Sequence, residues 1–192
     1  ARRLLPVYDR SKVRGGPLRL KERDCYLVMN RQCALALTIS DNRYMGMDSI
    51  SLIDLWEGWQ VTRSPMRLMP LGGTGLPQSS LRGSCARAGR GYGLLFQHEG
   101  EGRTLHAHMD RFRDGQALDA QILLTQEPEE SIVMCTPFEK PGQFYFNQKI
   151  NCMRAQGKVT LGDREYVFDP EDSFAVLDWG RGVWTCRGTW YW

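Results

Sequence analysis

Alternation of apolar with small or polar side chains recurs along the chain and constrains its fold more than any other feature. From Cys33 to Ser40 every second residue is large and apolar or a cysteine, and similar runs extend from Thr104 to Asp110 and from Leu118 to Leu124. A strand directs successive side chains to opposite faces of a sheet, so a period of two is typical of strands that bury one face. The sequence contains no comparably long helical stripe, and we therefore expect an all-β fold.

Short turn-forming sequences separate these runs. Residues 158–168 are the most compact example, because two strand-like segments flank Gly162-Asp163 and predict a β-hairpin. Residues 71–90, rich in Gly, Ser and Pro, are expected to form a loop. Many short strands joined by such turns are typical of a sandwich or a barrel. We expect a single antiparallel barrel or a strongly curved sheet.

Length, charge and hydropathy exclude several classes of protein. The chain has 192 residues, which suits one domain, and contains no run of about 20 apolar residues that could span a membrane. Its 25 Lys and Arg residues are scattered and leave a formal net charge of only +3. Nucleic-acid binders usually concentrate basic residues on one face. We therefore expect a solvated surface, no nucleic-acid partner and no membrane span.

The cysteine and histidine residues predict neither a disulfide framework nor a metal site. None of the six cysteines has the two-residue spacing of a redox motif or a zinc knuckle. Most lie in apolar runs, where a free thiol behaves as a small hydrophobic group, so we expect reduced thiols and a cytoplasmic protein. His106, His108 and Asp110 would share one strand face, a geometry that could hold a metal, but such histidines are more often solvated. We expect no metal and no cofactor.

Several longer motifs carry a resemblance to a known family. They are Ala34–Ile39, His108–Phe112, Phe144–Met153, Tyr166–Pro170, Asp178–Trp184 and Thr189–Trp192. With these motifs the chain resembles the bacterial family known as domain of unknown function 2804. The resemblance implies a lipocalin-like fold and the amino-terminal part of a tandem two-barrel protein. Relatives by fold include carotenoid hydratases and enzymes that cyclise polyketide-derived chains.

The resemblance also implies a domain organisation. It begins near Asp24, so residues 1–23 are interpreted as an amino-terminal extension and residues 24–192 as a lipocalin-like β domain. Family members continue beyond the position of Trp192 into a second β-rich half. We therefore interpret the β domain as truncated at its carboxyl end, and a missing carboxyl-terminal β domain is a candidate partner.

The motif Asp178-Trp179-Gly180-Arg181-Gly182-Val183-Trp184 is the strongest candidate for a ligand site. Its two glycines would allow a positive φ or a close backbone approach, and Asp178 is spaced to pair with Arg181 across a turn. The planar guanidinium could instead bind the anionic or polar end of a ligand, with Trp179, Trp184 and Trp190 as apolar walls. A buried Asp-Arg pair that closes the barrel explains the same residues without a ligand.

A second candidate set lies on one predicted strand. Tyr145, Asn147, Lys149 and Asn151 share one parity and would point to the same side, whereas the other parity is mostly apolar. The polar row either faces solvent or lines a polar patch in a ligand site. Lys149 and Asp178 would form a plausible acid–base pair if the fold brought them together.

Three functions remain open at this point. The leading hypothesis is a lipocalin-like module that binds an apolar or amphipathic small molecule, since small barrels can enclose one such ligand. The second is an isomerase, hydratase or cyclase acting on a hydrophobic substrate, in which Asp178, Lys149 or Tyr145 moves a proton. The third is a structural half-domain that needs its missing partner.

Overall fold

The computed structural model describes residues 8–100 and 102–185, and nearly all regular structure in them is β. A short 3₁₀ turn at Arg10–Lys12 precedes the first strand. The thirteen strands are β1 Leu20–Met29, β2 Cys33–Asp41, β3 Met45–Asp54, β4 Trp59–Arg63, β5 Met66–Leu68, β6 Gly83–Gly89, β7 Tyr92–Glu99, β8 Gly102–Arg113, β9 Gln116–Thr125, β10 Ile132–Pro137, β11 Phe144–Leu161, β12 Arg164–Phe168 and β13 Phe174–Val183. The all-β prediction is confirmed.

The strands form one antiparallel sheet. Its main path runs β4-β3-β2-β1-β13-β11-β9-β8-β7-β6, with β5 paired to β3 and both β10 and β12 paired to β11. Strand β1 therefore joins the first meander to the last strand, which places β13 at the centre. The long strand β11 is shared, since its first half pairs with β10 and its second half with β9. Central strands β1, β11 and β13 thus present one continuous outer surface.

The sheet curls until its two ends meet, but among the described strands no main-chain hydrogen-bond ladder joins β4 to β6. Side chains make the contact instead, since the Tyr92 hydroxyl donates to Asp48 Oδ2 at 2.9 Å and Arg63 Nε donates to the carbonyl of Phe112 at 2.9 Å. The structure is therefore the strongly curved sheet of the sequence expectation rather than a closed barrel. We call the line of contact between β3–β5 and β6–β8 the seam.

The concave side of the curl holds the core. Alternate residues of the strands point inward and are fully buried, including Leu35, Leu37, Ile50, Leu105 and Ile122. Burial of each such side chain stabilises the folded state by about 1.5–3 kcal/mol. The first strand begins at Leu20, inside the segment expected to be an extension. Tyr8, from the same segment, packs edge-on against Trp179 with ring centroids 5.8 Å apart.

Local predictions had mixed outcomes. The hairpin over residues 158–168 is confirmed, because β11 and β12 pair across Gly162-Asp163. The predicted loop at residues 71–90 is partly wrong, since Gly83–Gly89 form strand β6 and pair with β7. This strand consists largely of Gly, Ser and Ala, so its sequence shows no alternation of apolar and polar residues.

The described cysteines, Cys25, Cys33, Cys85, Cys135 and Cys152, are free thiols, and Cys186 lies outside the described residues. Over the described ranges, the structure contains no helix long and apolar enough to cross a membrane.

Candidate functional site

Asp178 is the centre of a charged cluster on the outer face of the sheet. Its Oδ2 atom lies 3.0 Å from Lys149 Nζ and 2.8 Å from an Arg23 guanidinium nitrogen. The three side chains come from adjacent strands, because Asp178 on β13 faces Lys149 on β11 and lies beside Arg23 on β1. Their side chains are 14%, 23% and 29% exposed. The two cations and one carboxylate leave one positive charge at a surface that solvent can reach.

Asn147 and Tyr145 extend this cluster along β11. Asn147 Nδ2 lies within hydrogen-bonding distance of Asp178 Oδ1, of the Tyr145 hydroxyl at 2.9 Å and of the Trp179 carbonyl at 3.3 Å. Burial, and then the charge of Asp178, raises the pKa of Tyr145, so its hydroxyl stays protonated at neutral pH. The Trp184 ring packs edge-on against the Tyr145 ring at 5.2 Å. We call Arg23, Tyr145, Asn147, Lys149 and Asp178 the outer-face cluster.

Strand β13 can pass so close to β11 because Gly180 and Gly182 carry no side chains. A Cβ at Gly182 would lie 2.2 Å from the carbonyl oxygen of Phe144, and one at Gly180 would lie 2.8 Å from the Tyr145 hydroxyl. The expected close approach at these glycines is confirmed, but neither has a positive φ. Their small size, rather than their backbone freedom, lets the Tyr145 ring lie flat against the sheet.

The predicted pairing of Asp178 with Arg181 is wrong. Residues 174–183 form one extended strand instead of a turn, so two residues three positions apart point to opposite faces. Arg181 points into the core, where its side chain is 0% exposed and its Nη1 lies 2.7 Å from Asp24 Oδ1. It also donates to the carbonyls of Arg23 and Pro77 at 2.9 and 2.7 Å. A buried Arg-Asp pair exists, but its acid comes from β1.

The side chains of Trp179 and Asn151 do not join the cluster. Trp179 lies in the core, under the Arg181 guanidinium at 4.0 Å from the ring centroid. Asn151 lies in a bulge of β11, where two residues stand opposite one residue of β13 between Ile150 and Met153. The bulge, with Cys152 at φ +60°, shifts the alternation of β11 only after Asn151, which keeps the parity of Lys149. Among the described residues, Asn151 makes no hydrogen bond or ion pair with the cluster. Trp190 lies outside the described residues.

The interior beside Trp179 has almost no free space. A cavity between Asp24, His98, Arg103 and Trp179 measures about 10 Å³ as the space open to the centre of a water molecule, which is room for roughly one water. Arg103 is held there by Glu127, at 2.9 Å, and donates to the carbonyl of Ser80 at 2.6 Å. This cavity therefore has no room for a sizeable apolar ligand.

The histidines do not assemble a metal site in the described part of the chain. His108 is bound between two carboxylates instead, with Nδ1 2.7 Å from Asp119 Oδ1 and Nε2 2.8 Å from Asp110 Oδ1. These hydrogen bonds, first to Asp110 and then to Asp119, raise the pKa of His108.

Three residues of the outer face were not predicted from the sequence. Arg23 joins the cluster because β1 pairs with β13, a contact between residues 155 positions apart. Ile132 and Met134 on β10 stand directly opposite Lys149 and Asn147, and their side chains are 50% and 46% exposed. Residues 132–135 are a short continuous apolar run, and no local signal showed which strand this run would pair with.

Comparison with known proteins gives a family and a fold. The family model described as "Domain of unknown function (DUF2804)" matches residues 1–192. A crystal structure of a protein provisionally named AttH, from Nitrosomonas europaea, has a TM-score of 0.53 and 10% sequence identity. The similarity covers 95% of this chain and 59% of that one, so the chain spans about three fifths of the AttH length. Kievitone hydratase from Nectria haematococca has a TM-score of 0.46 and 10% identity, over 92% of this chain and 52% of the hydratase.

These similarities show the fold of the chain but not its chemistry. The AttH structure has a lipocalin-like fold, and at 10% identity the match shows the fold alone. None of the curated proteins matches the chain in sequence. The fold of the chain is therefore lipocalin-like, and its chemistry has to be argued from its own residues.

Proposed function

The chain belongs to the DUF2804 family, and on that premise we propose that it binds a small amphipathic molecule at the outer-face cluster. The observation that carries the proposal is that Lys149 and Arg23 share the single Asp178 carboxylate. Both cations are partly exposed, and these three side chains together carry one net positive charge. Charge-assisted hydrogen bonds from such groups favour an anionic or strongly polar ligand end. The expected ligand position thus moves from the interior to the outer face.

The apolar part of the ligand would lie on β10. Residues that stand opposite each other in an antiparallel pair have side chains on the same face, so Ile132 and Met134 flank Lys149 and Asn147. On the other side of the cluster, Trp184 and Tyr145 supply aromatic surface. Apolar and aromatic walls around a few polar groups are typical of small-molecule sites.

Asn147 provides a further polar group for a ligand. The residue is 1% exposed, and its Oδ1 accepts no hydrogen bond from the described residues. A buried acceptor that is left unpaired costs about 1–3 kcal/mol. A donor on the ligand, such as a hydroxyl, would remove this cost.

A binding experiment tests the proposal directly. Titration of a fluorescent fatty acid, with the corresponding alcohol as the uncharged comparison, measures the contribution of the anionic end. We expect Lys149→Met to weaken fatty-acid binding about tenfold, equivalent to about 1.4 kcal/mol, and to leave alcohol binding nearly unchanged.

The matched control is Lys158→Met on the same strand. Lys158 is 57% exposed, pairs with Glu165 and lies away from the cluster. Equal fatty-acid affinity for the two lysine variants would contradict the proposed position of the site.

Isomerase, hydratase or cyclase chemistry at the same site is the second candidate. It is favoured by the contact between Lys149 and Asp178 and by the protonated Tyr145 hydroxyl, which could donate a proton or a hydrogen bond to a substrate oxygen. Tyr145→Phe separates the two roles. It should abolish turnover of a bound substrate in the enzyme hypothesis and change affinity by less than tenfold in the binding hypothesis.

A purely structural role is favoured by the small size of the cavity beside Trp179. It predicts that the outer-face cluster docks a carboxyl-terminal β domain, and that the fatty-acid probe does not bind. The chain can be purified together with such a domain. If the two form a stable complex, and fatty-acid affinity in that complex is the same for wild type and Lys149→Met, the structural role replaces the binding proposal.

A further inference from the structure

An open groove of about 510 Å³ lies along the seam, on a different part of the surface from the outer-face cluster. Strand β4 and the segment after it contribute Arg63 and Pro65, and β8 contributes Met109, Asp110 and Arg111. The turn between β6 and β7 contributes Arg90, and Tyr92 comes from the start of β7. Sites for small molecules commonly enclose about 300–1,000 Å³. The groove is therefore large enough for a ligand, in contrast to the cavity beside Trp179.

Its rim carries an excess of positive charge. Arg63, Arg90 and Arg111 face one acidic residue, Asp110, which leaves a surplus of two positive charges. Among the described residues, neither Arg90 nor Arg111 makes a hydrogen bond or an ion pair. Arg63 uses Nε for the carbonyl of Phe112. Three guanidinium groups with donors to spare thus line the groove, together with a single carboxylate.

The backbone conformation around the groove exposes the side chains of Asp110 and Arg111. The pairing of β8 with β9 shifts between Met109 and Arg113, and the irregularity leaves Asp110 and Arg111 both exposed on consecutive positions. Bulges of this kind re-aim side chains and are frequent beside functional sites. Gly91, at φ +73°, passes under Asp110, since a Cβ there would lie 2.7 Å from its carboxylate.

The floor of the groove consists of one apolar and one aromatic side chain, Met109 and Tyr92, in a lining that is otherwise mostly polar. Met109 is buried, and Tyr92 is anchored by its hydrogen bond to Asp48, whose carboxylate is also held by Arg67 at 2.9 Å. Arg87 adds a further positive charge 3.9 Å from Asp48. The floor suits an apolar or aromatic ring, and the rim suits an anion.

We propose that the seam groove binds a small molecule that carries a doubly charged oxyanion, such as a phosphate monoester, on an apolar or aromatic body. A guanidinium group presents paired donors that match the oxygens of phosphate, and several together neutralise a dianion. The proposal rests on residues outside the outer-face cluster, so either site can fail without the other.

Phenyl phosphate is a suitable probe, with phenol as the uncharged comparison. We expect a titration followed by protein NMR to shift the amides of Gly91, Tyr92, Asp110 and Arg111, and to leave those of the outer-face cluster in place. Phenol alone should give shifts at least tenfold smaller at the same concentration. Shifts spread evenly over the basic surface, or no shifts at the seam, would overturn the proposal.

Paired variants separate a site from general electrostatic attraction. Arg90→Ala with Arg111→Ala removes two charges from the groove, and Arg14→Ala with Arg31→Ala removes two exposed charges elsewhere. The seam pair should weaken phenyl phosphate binding at least tenfold, whereas the control pair should change it less than twofold at constant ionic strength. An equal loss in both pairs would show that only net charge matters and would reject the site.

Discussion

Arg181 and Asp24 form an ion pair of 2.7 Å inside the curled sheet, where their side chains are 0% and 8% exposed. The same guanidinium lies 3.6 Å from Glu22 and donates to the carbonyl of Pro77. It therefore links β13, β1 and the loop before β6 in the core. Removing one partner of a buried ion pair leaves the other charge uncompensated in a poorly solvated site.

We expect Arg181→Ala to lower the free energy of unfolding by about 3–5 kcal/mol. Arg181→Lys should not restore stability, because an ammonium group cannot reproduce the fork that reaches Asp24, Arg23 and Pro77 together. Urea unfolding monitored by tryptophan fluorescence measures both. Unfolding midpoints for Arg181→Ala that equal those of the wild type would show that the pair contributes nothing to the fold.

The partner of Arg181 can be identified by a double-mutant cycle. Arg181→Gln combined with Asp24→Asn should cost less than the sum of the single changes, with a coupling of about 0.5–3 kcal/mol. Arg181→Gln combined with Asp178→Asn should be additive within about 0.5 kcal/mol, since the two side chains lie on opposite faces. Strong coupling to Asp178 would instead restore the pairing expected from the sequence.

The error over Asp178 and Arg181 shows which part of the structure local sequence can predict. Alternation correctly predicts strands, and the shared parity of Tyr145, Asn147 and Lys149 correctly places them on one face. Two glycines around Arg181 were interpreted as a turn, whereas the strand uses them to admit the Tyr145 ring. A glycine needed for space and one needed for a positive φ are identical in sequence, and only the neighbouring strand distinguishes them.

Contacts between strands that lie far apart in the chain could not be predicted from the sequence. Arg23 meets Asp178 only because β1 bridges the two halves of the sheet. The basic residues looked scattered along the chain, yet the curl brings Arg63, Arg90 and Arg111 to one groove. The bulge after Ile150 likewise depends on the pairing of β11 with β13.

Gly182→Ala tests the close approach of β13 to β11. The added methyl group would lie 2.2 Å from a main-chain oxygen, which cannot move away as a flexible side chain can. We expect a loss of about 1–3 kcal/mol from overpacking and weaker protection of the β11–β13 amides against hydrogen exchange. Gly93→Ala is the matched control, since Gly93 also lies in a strand and its Cβ would meet nothing closer than 3.8 Å. Similar stabilities for the two variants would contradict the proposed crowding.

His108 should make stability depend on pH in a defined direction. Its pKa is raised in the folded protein by Asp110 and Asp119, so the protonated form is favoured by folding. The contribution is fully present below the ordinary histidine pKa of about 6.5 and is lost as the pH rises through the higher folded pKa. Because the side chain is 44% exposed, solvent screens the interaction and the effect should be small.

Two measurements check this prediction. The difference in unfolding free energy between wild type and His108→Gln should be larger at pH 5.5 than at pH 9. An NMR titration should show that Asp119→Asn lowers the His108 pKa. A difference that grows with rising pH would have the wrong sign and would reject the two-carboxylate bridge.

The cysteines should divide into fast and slow thiols. Cys135 and Cys152 are exposed, whereas Cys33 and Cys85 are 0% and 3% exposed, and burial raises the pKa of each buried thiol to about 12. Thiolate is the reactive form, so the buried pair should react with Ellman's reagent only as fast as the protein opens. Cys135→Ser and Cys152→Ser should each remove one fast equivalent. After unfolding without reductant all six thiols should react, and a shortfall of two or more would reveal a disulfide and contradict the expectation of a reduced protein.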